Sequence, residues 1–194
     1  PSFRAEKSKT SRHLTEYWHA EMEMAWAEFE DIMDHGEKLI KHIVKKVLEK
    51  HLEELKLLER DISKLRPVLE KPFVRMTYDD ALTILKDKCK MKVEWGKDLR
   101  TIEEEKLTQL YDVPIICTRY PKKVKAFYMT EDPKNPDVVL GCDFLAPEGY
   151  GEIIGGSHRE HDVEKVKQRL IDDGEDPKEY EFYLDTRRYG SVPH

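Results

Sequence analysis

Arg4-Ala5-Glu6 and Arg12-His13-Leu14 flank a short loop of Lys, Ser and Thr, and Tyr17, His19 and Glu21 follow. Guanidinium groups grip phosphate through paired N–H donors and an aromatic ring stacks on a base, so this order of residues suits a nucleotide. A solvated basic loop entering an amphipathic edge strand would use the same residues, and exposed charges of that kind contribute little. A second group, Asp143, Glu152 and Arg159, surrounds Gly149, Gly151, Gly155 and Gly156. Carboxylates on neighbouring strands can hold Mg²⁺, which takes one or two of them plus substrate phosphate, and glycines let a ligand approach the backbone. A twisted hairpin with ordinary surface charges is the competing reading. The run His158-Arg159-Glu160-His161 offers two imidazoles. On a strand they face opposite sides and no thiolate lies nearby to complete a zinc site, so a solvated, charged strand end is expected. Neither a GxxxxGK[ST] loop nor a GxGxxG turn occurs, and the spacings support no Ser–His–Asp or Cys–His pairing.

These side chains need elements to hold them. From Tyr17 to Trp26 apolar and polar residues alternate, with Trp18, Ala20, Met22, Met24 and Trp26 on one face and Tyr17, His19, Glu21 and Glu23 on the other. That period predicts a strand rather than a helix, although Ala, Glu and Met favour the latter. Phe29, Ile32, Met33, Gly36, Ile40, Ile43, Val44, Val47, Leu48, Leu52 and Leu55 recur at three- and four-residue steps. They predict a long amphipathic helix, broken near Gly36 and ended before Pro67. Thr77 with Asp80 caps a short helix. Residues 90–112 read as irregular, 130–137 as a turn-rich loop, and 114–118, 124–129, 138–144 and 151–154 as strands. Asp162–Leu170 is expected to be helical and stopped at Gly174, with another helix opening at Pro177. Strands without βαβ alternation predict an α+β fold, its antiparallel sheet flanked by helices. The sheet should carry residues 15–26, 123–129 and 138–159, with the helix of residues 28–60 outside the cleft.

Length and charge narrow the partners. The 194 residues fit one ordinary domain with a helical or irregular stretch at about 28–112. A hydrophobic share of 39% can build a core, and a net charge of −6 gives no global attraction to phosphate, so nucleic acid would be met by local basic clusters. Cys89, Cys117 and Cys142 form no disulfide framework and point to a reducing cytoplasm. No apolar run reaches the ~20 residues of a membrane span, so no membrane partner is expected. A single Asn (Asn135) and two Gln (Gln109, Gln168) beside 34 Lys+Arg and 40 Asp+Glu point to selection for heat. The start at Pro1, with Arg4 and Glu6 already in place, reads as entry in mid-domain.

Phe3-Arg4-Ala5-Glu6 and Ser11-Arg12-His13-Leu14-Thr15-Glu16-Tyr17-Trp18 resemble motif 2 of the class IIb aminoacyl-tRNA synthetases. Leu145-Ala146-Pro147-Glu148-Gly149-Tyr150-Gly151-Glu152-Ile153-Ile154-Gly155-Gly156-Ser157 with Arg159 resembles the archaeal-type asparaginyl group in particular. Arg188-Tyr189-Gly190-Ser191-Val192-Pro193-His194 is similar to the stretch before motif 3, and Tyr120-Pro121 with Lys125-Ala126-Phe127-Tyr128-Met129 also fits. Gly155-Gly156-Ser157 stands where aspartyl enzymes usually carry Ser-Gly-Gly, which favours asparagine.

The resemblance implies asparagine–tRNA ligase chemistry with ATP and Mg²⁺, with asparagine and tRNA(Asn) as partners, in a cytoplasmic, homodimeric parent. By the same resemblance Arg4 grips the α-phosphate and the substrate carboxylate, and Glu6 reads the adenine amino group. Arg12, His13 and Leu14 take the triphosphate side, and Tyr17 stacks under adenine. Glu152 holds Mg²⁺ and ATP with Asp143 as helper. Arg159 receives the substrate side chain, and Glu21 lies where the family places an acidic residue of the amino-acid pocket. Arg4, Glu6, Tyr17, Glu152 and Arg159 should then converge on one cleft, and Glu21 should discriminate asparagine from aspartate. Segments resembling motif 1, motif 3 and the anticodon-binding domain are not found in this sequence, so a partial catalytic domain is expected. An aspartyl enzyme, a paralogue that amidates aspartate, and a non-catalytic nucleotide- or tRNA-binding fragment are the competing functions.

Overall fold

The computed structural model describes residues 1–5 and 14–194. The three-four apolar stripe forms α1 (Phe29–Lys50), opened by a reciprocal cap in which the Glu28 N–H donates to Asp31 Oδ2 at 2.9 Å. The helix runs through Gly36 without the expected break. A Cβ there would come within 3.0 Å of three ring carbons of Phe144, so the glycine lets the helix lie close against a sheet. The short helices α2 (Leu52–Leu57) and α3 (Arg66–Glu70) carry the chain back to that sheet.

The sheet holds β3 (Val74–Thr77), β4 (Ile115–Thr118), β7 (Gly141–Ala146) and β8 (Gly151–Ser157), in the order β3-β4-β7-β8. Its three right-hand strands are antiparallel as expected, whereas β3 pairs with β4 in parallel, Val74 opposite Ile115. Between β3 and β4 lie α4 (Tyr78–Asp87), capped by the Thr77–Asp80 exchange, and α5 (Thr101–Thr108). Because side chains alternate along a strand, Ile116, Cys142 and Phe144 meet Phe29, Met33 and Ile40 of α1 on one face. On the other, Ile115, Cys117 and Leu145 meet Tyr78, Leu82, Leu85 and Leu107. The site must therefore form at the margins of a sheet covered on both faces.

Three further readings are corrected. Residues 90–112 contain α5, whose apolar rhythm is hidden because Glu103 and Glu104 are themselves buried. Residues 130–137 form a hairpin of β5 (Glu131–Asp132) and β6 (Asn135–Val139). Residues 122–124 make a tight 3₁₀ turn, and of the expected strand 124–129 only Met129 pairs, opposite Arg159. The largest departure is at the N-terminus. There β1 (Ser2–Phe3) pairs with β2 (Glu16–Tyr17), and residues 18–28 run on without ladder partners among the described residues. A strand needs a neighbour for its backbone groups and a surface for its apolar face. β1 ends after two residues, and Trp18, Met22 and Trp26 are 88%, 56% and 74% exposed. Past β8, α6 (Val163–Asp172, capped by Asp162) and α7 (Glu181–Arg188) pack through Val166, Leu170 and Leu184 onto Phe127.

Candidate functional site

The β7–β8 hairpin explains how Asp143 and Glu152 come to share a face. Asp143 lies opposite Gly155 and Phe144 opposite Ile154, but Leu145 lies opposite Glu152, leaving Ile153 as an extra residue. This bulge turns Glu152 and Gly155, which a regular strand would send to opposite sides, to the same side as Asp143. Glu152 Oε1 lies 3.0 Å and Asp143 Oδ1 3.8 Å from the point a Cβ on Gly155 would occupy. Lys125 Nζ donates to Asp143 Oδ2 at 2.8 Å, lies 3.4 Å from Asp98, and sits 4.0 Å from the ring centre of Tyr120. The Glu152 N–H donates to Glu104 Oε2 at 3.2 Å.

Three carboxylates, Asp143, Asp98 and Glu152, thus act on one ammonium. Burial works against the Lys125 charge, but Asp143 and Asp98 outweigh it and hold its pKa above the ordinary lysine value. Burial pushes the Asp143 carboxyl up, with Lys125 pulling the other way. The Glu152 side chain reaches the surface. Its carboxyl is nevertheless shielded by surrounding protein and faces Asp143, and its pKa is pushed up to about 7. Carboxylates crowded in this way favour the arrival of a cation. Among the described residues no three His, Cys, Asp or Glu side chains form a metal cage. A pair of oxygens completed by phosphate and water is the donor set Mg²⁺ uses, so the residues fit that ion.

Arg159 follows β8 and forms the second half of the site. Its guanidinium lies over the ring of Tyr128 at 4.3 Å, donates to Glu23 Oε1 at 3.0 Å and to Ser157 Oγ at 3.3 Å. The segment 125–130 serves both halves, sending Lys125 to the carboxylates and Tyr128 to the arginine. It is laced to the end of β8, the Thr130 N–H donating to the His158 carbonyl and the Glu160 N–H to the Tyr128 carbonyl. The end at 158–161, expected to be solvated, is so only at His161; His158 and Glu160 are buried and Arg159 half-buried. His158 is 7% exposed with its Nδ1 3.1 Å from Thr130 Oγ1, and Glu160 accepts from the N–H groups of His161 and Asp162.

Arg4 and Tyr17 sit at the β1–β2 strand pair, where the Arg4 N–H donates to the Thr15 carbonyl and Leu14 is exposed. Tyr17 and His19 rings lie 5.7 Å apart. Glu6, Arg12 and His13 lie outside the described residues. Glu21 is exposed beside His19 at 3.8 Å, and it is Glu23, two positions on, that meets Arg159. Through Glu23 the N-terminal segment reaches a site built mainly from residues 98–159.

The model of the tRNA synthetases of class II (D, K and N) matches residues 1–194, the whole chain. The chain belongs to that family. It is similar, at 53% identity over all 194 residues, to the asparagine–tRNA ligase of Pyrococcus horikoshii, of whose length it covers 44%. The crystal structure of the P. horikoshii asparaginyl-tRNA synthetase complexed with asparaginyl-adenylate matches with a TM-score of 0.94, covering all of this chain and 44% of that one. The Entamoeba histolytica asparaginyl-tRNA synthetase in complex with asparaginyl-adenylate matches at 36% identity and a TM-score of 0.86, over 99% of this chain and 43% of that one. The chain therefore spans a little under half the length of the relatives it matches.

Within this class II synthetase chain, sequence reasoning missed Lys125, Tyr128, Glu23, Asp98 and Glu104. Glu23 carried a signal, since it shares the alternating polar face with Glu21. Lys125 and Tyr128 stood in the Lys125–Met129 match without a chemical reason to single them out. Asp98 and Glu104 carried none.

Proposed function

We propose that this chain carries the amino-acid- and cation-binding part of an asparagine–tRNA ligase catalytic domain. Its parent would act as a cytoplasmic homodimer, with ATP, Mg²⁺, asparagine and tRNA(Asn) as its ligands. A carboxylate oxygen of asparagine attacks the α-phosphorus of ATP. The α–β phosphoanhydride bond breaks and pyrophosphate leaves with its electron pair; a ribose hydroxyl at the tRNA end then attacks the acyl carbon of the adenylate, and AMP leaves as the hydroxyl gives up its proton. Mg²⁺ bound at Asp143 and Glu152 would neutralise charge on the phosphates. Arg4 and Arg12 stabilise the phosphoryl transition state, with Arg4 also on the substrate carboxylate. Glu6 reads adenine, Tyr17 stacks under it, and His13 and Leu14 line the triphosphate side.

The observation that carries the choice of substrate is the Arg159–Glu23 pair. Arg159 alone would draw aspartate by charge. With Glu23 on the guanidinium, the pocket offers a donor to a side-chain oxygen and an acceptor to an amide NH₂, while a second carboxylate is repelled. Glu21 adds negative charge two positions away. The test is ATP–pyrophosphate exchange with asparagine and aspartate, on the chain and on a chimera in which it replaces the matching region of the P. horikoshii ligase. Asparagine should be preferred. Glu23→Gln should erode that preference by about tenfold or more, and Glu21→Gln by less. A chimera that prefers aspartate, or selectivity untouched by Glu23→Gln, defeats this reading.

A further inference from the structure

The two oxygens of Asp143 have different surroundings. Oδ2 accepts from Lys125 Nζ at 2.8 Å, whereas Oδ1 faces the open space over Gly155 that Glu152 Oε1 also borders. The χ2 torsion of an aspartate is broad and roughly two-fold, so a carboxylate without a fixed partner has no defined setting. Beside the buried Tyr120, whose hydroxyl also bonds the Asp143 side chain, Lys125 is placed to define it. Its side chain is 13% exposed, lies against the Tyr120 ring and is steadied by Asp98. Its backbone is fixed as well, because the buried Arg169 of α6 donates Nη2 to the carbonyls of Lys122 and Lys125, the latter at 3.1 Å. The missing Cβ of Gly155 keeps the facing space open.

We propose that Lys125 is a positioning residue for the cation site: its bond to Oδ2 sets the Asp143 carboxylate so that Oδ1 and Glu152 Oε1 converge over Gly155 on one divalent cation. This rests on the reading of Asp143 and Glu152 as cation ligands. Lys125 touches neither substrate nor cation and acts through Asp143, as outer partners of metal ligands do.

The test is Mn²⁺ binding to the whole chain, followed by the loss of the free-ion electron paramagnetic resonance signal at fixed pH, with near-ultraviolet circular dichroism to check folding. Lys125→Met should bind Mn²⁺ about tenfold or more weakly. Lys125→Arg, which returns a donor to the same place and serves if the methionine variant does not fold, should stay within about threefold of the parent. Folded Lys125→Met binding as tightly as the parent overturns the proposal, as does Lys125→Arg losing at least tenfold. Glu152→Gln separates the two levels of the argument. If it too binds like the parent, or if the parent binds no Mn²⁺, the cation site itself is wrong. If Glu152→Gln loses binding and Lys125→Met does not, the site stands and only the role of Lys125 falls.

Discussion

Glu152 reaches solvent along its side chain while its carboxyl faces Asp143, and the result is a pKa of about 7 against an ordinary value near 4.5. Between those two pH values the folded chain keeps a proton that the unfolded chain has released. The stability linked to this group is therefore fully present below about pH 4.5 and is lost as pH rises toward about 7. Solvent at the side chain screens part of the effect. Glu152→Gln, neutral throughout, should melt close to the parent at pH 5 and above it at pH 8 without divalent cation, and added Mg²⁺ at pH 8 should raise the melting temperature of the parent alone. A melting difference that does not change with pH would show that Asp143 and the surrounding protein do not disfavour the ionised form. Glu152 and Arg159 were legible in the sequence by residue type and glycine context. Lys125 was not, because nothing in a lysine two residues before Phe127 reveals that a buried arginine forty-odd positions on will turn it inward. The thiols of Cys117 and Cys142, pushed up to about 12 by burial, agree with the absence of a nucleophile motif.

At the scale of elements, the three-four stripe places α1 but overruns it, since the helix ends at Lys50 and a separate one, Leu52–Leu57, follows; Gly36 suggests a break because a glycine signals both flexibility and close approach. Here the ring of Phe144 decides between them. Gly36→Ala gains up to about 1 kcal/mol of helix propensity and forces the helix or the ring aside, a strain of about 1–3 kcal/mol. The net loss should lower the melting temperature by a few degrees, on a scale of about 2–4 °C per kcal/mol for a chain this size. Adding Phe144→Leu, which vacates the ring's place, should reverse the sign of the Gly36→Ala effect. If Gly36→Ala is stabilising on the parent background, α1 does not lie as close to β7 as described. The bulge at Ile153 and the failed strand at 18–26 show the limit of reading by period two. Alternation reports which side chains could share a face, whereas pairing and register depend on neighbours that the segment itself does not encode.

Across the whole molecule, the helix-flanked sheet was visible in the order of periodic segments, but the meeting of residues 23–26 with residues 159 and 193–194 was not. The Trp26 N–H donates to the Pro193 carbonyl at 2.7 Å and the Arg159 N–H to the His194 carbonyl at 2.9 Å. Residues 193 and 194 thus run between the N-terminal segment that brings Glu23 and the backbone that carries Arg159. Trp26 has φ 64°, a left-handed conformation that a bulky side chain adopts rarely and at a cost of about 1–3 kcal/mol. Its ring is 74% exposed, so packing of the ring does not hold it there, whereas the hydrogen bond to Pro193 restrains its backbone. Deleting Ser191–His194 should let Trp26 relax to negative φ and release Glu23 from Arg159. Amide hydrogen exchange at residues 23–27 and 159–160 should then accelerate, while amides of β4 and β7, whose ladders do not involve the tail, keep their protection. Equal acceleration across β7 would show that the tail supports the sheet as a whole. Unchanged exchange at residues 23–27 would show that the N-terminal segment holds its place without it.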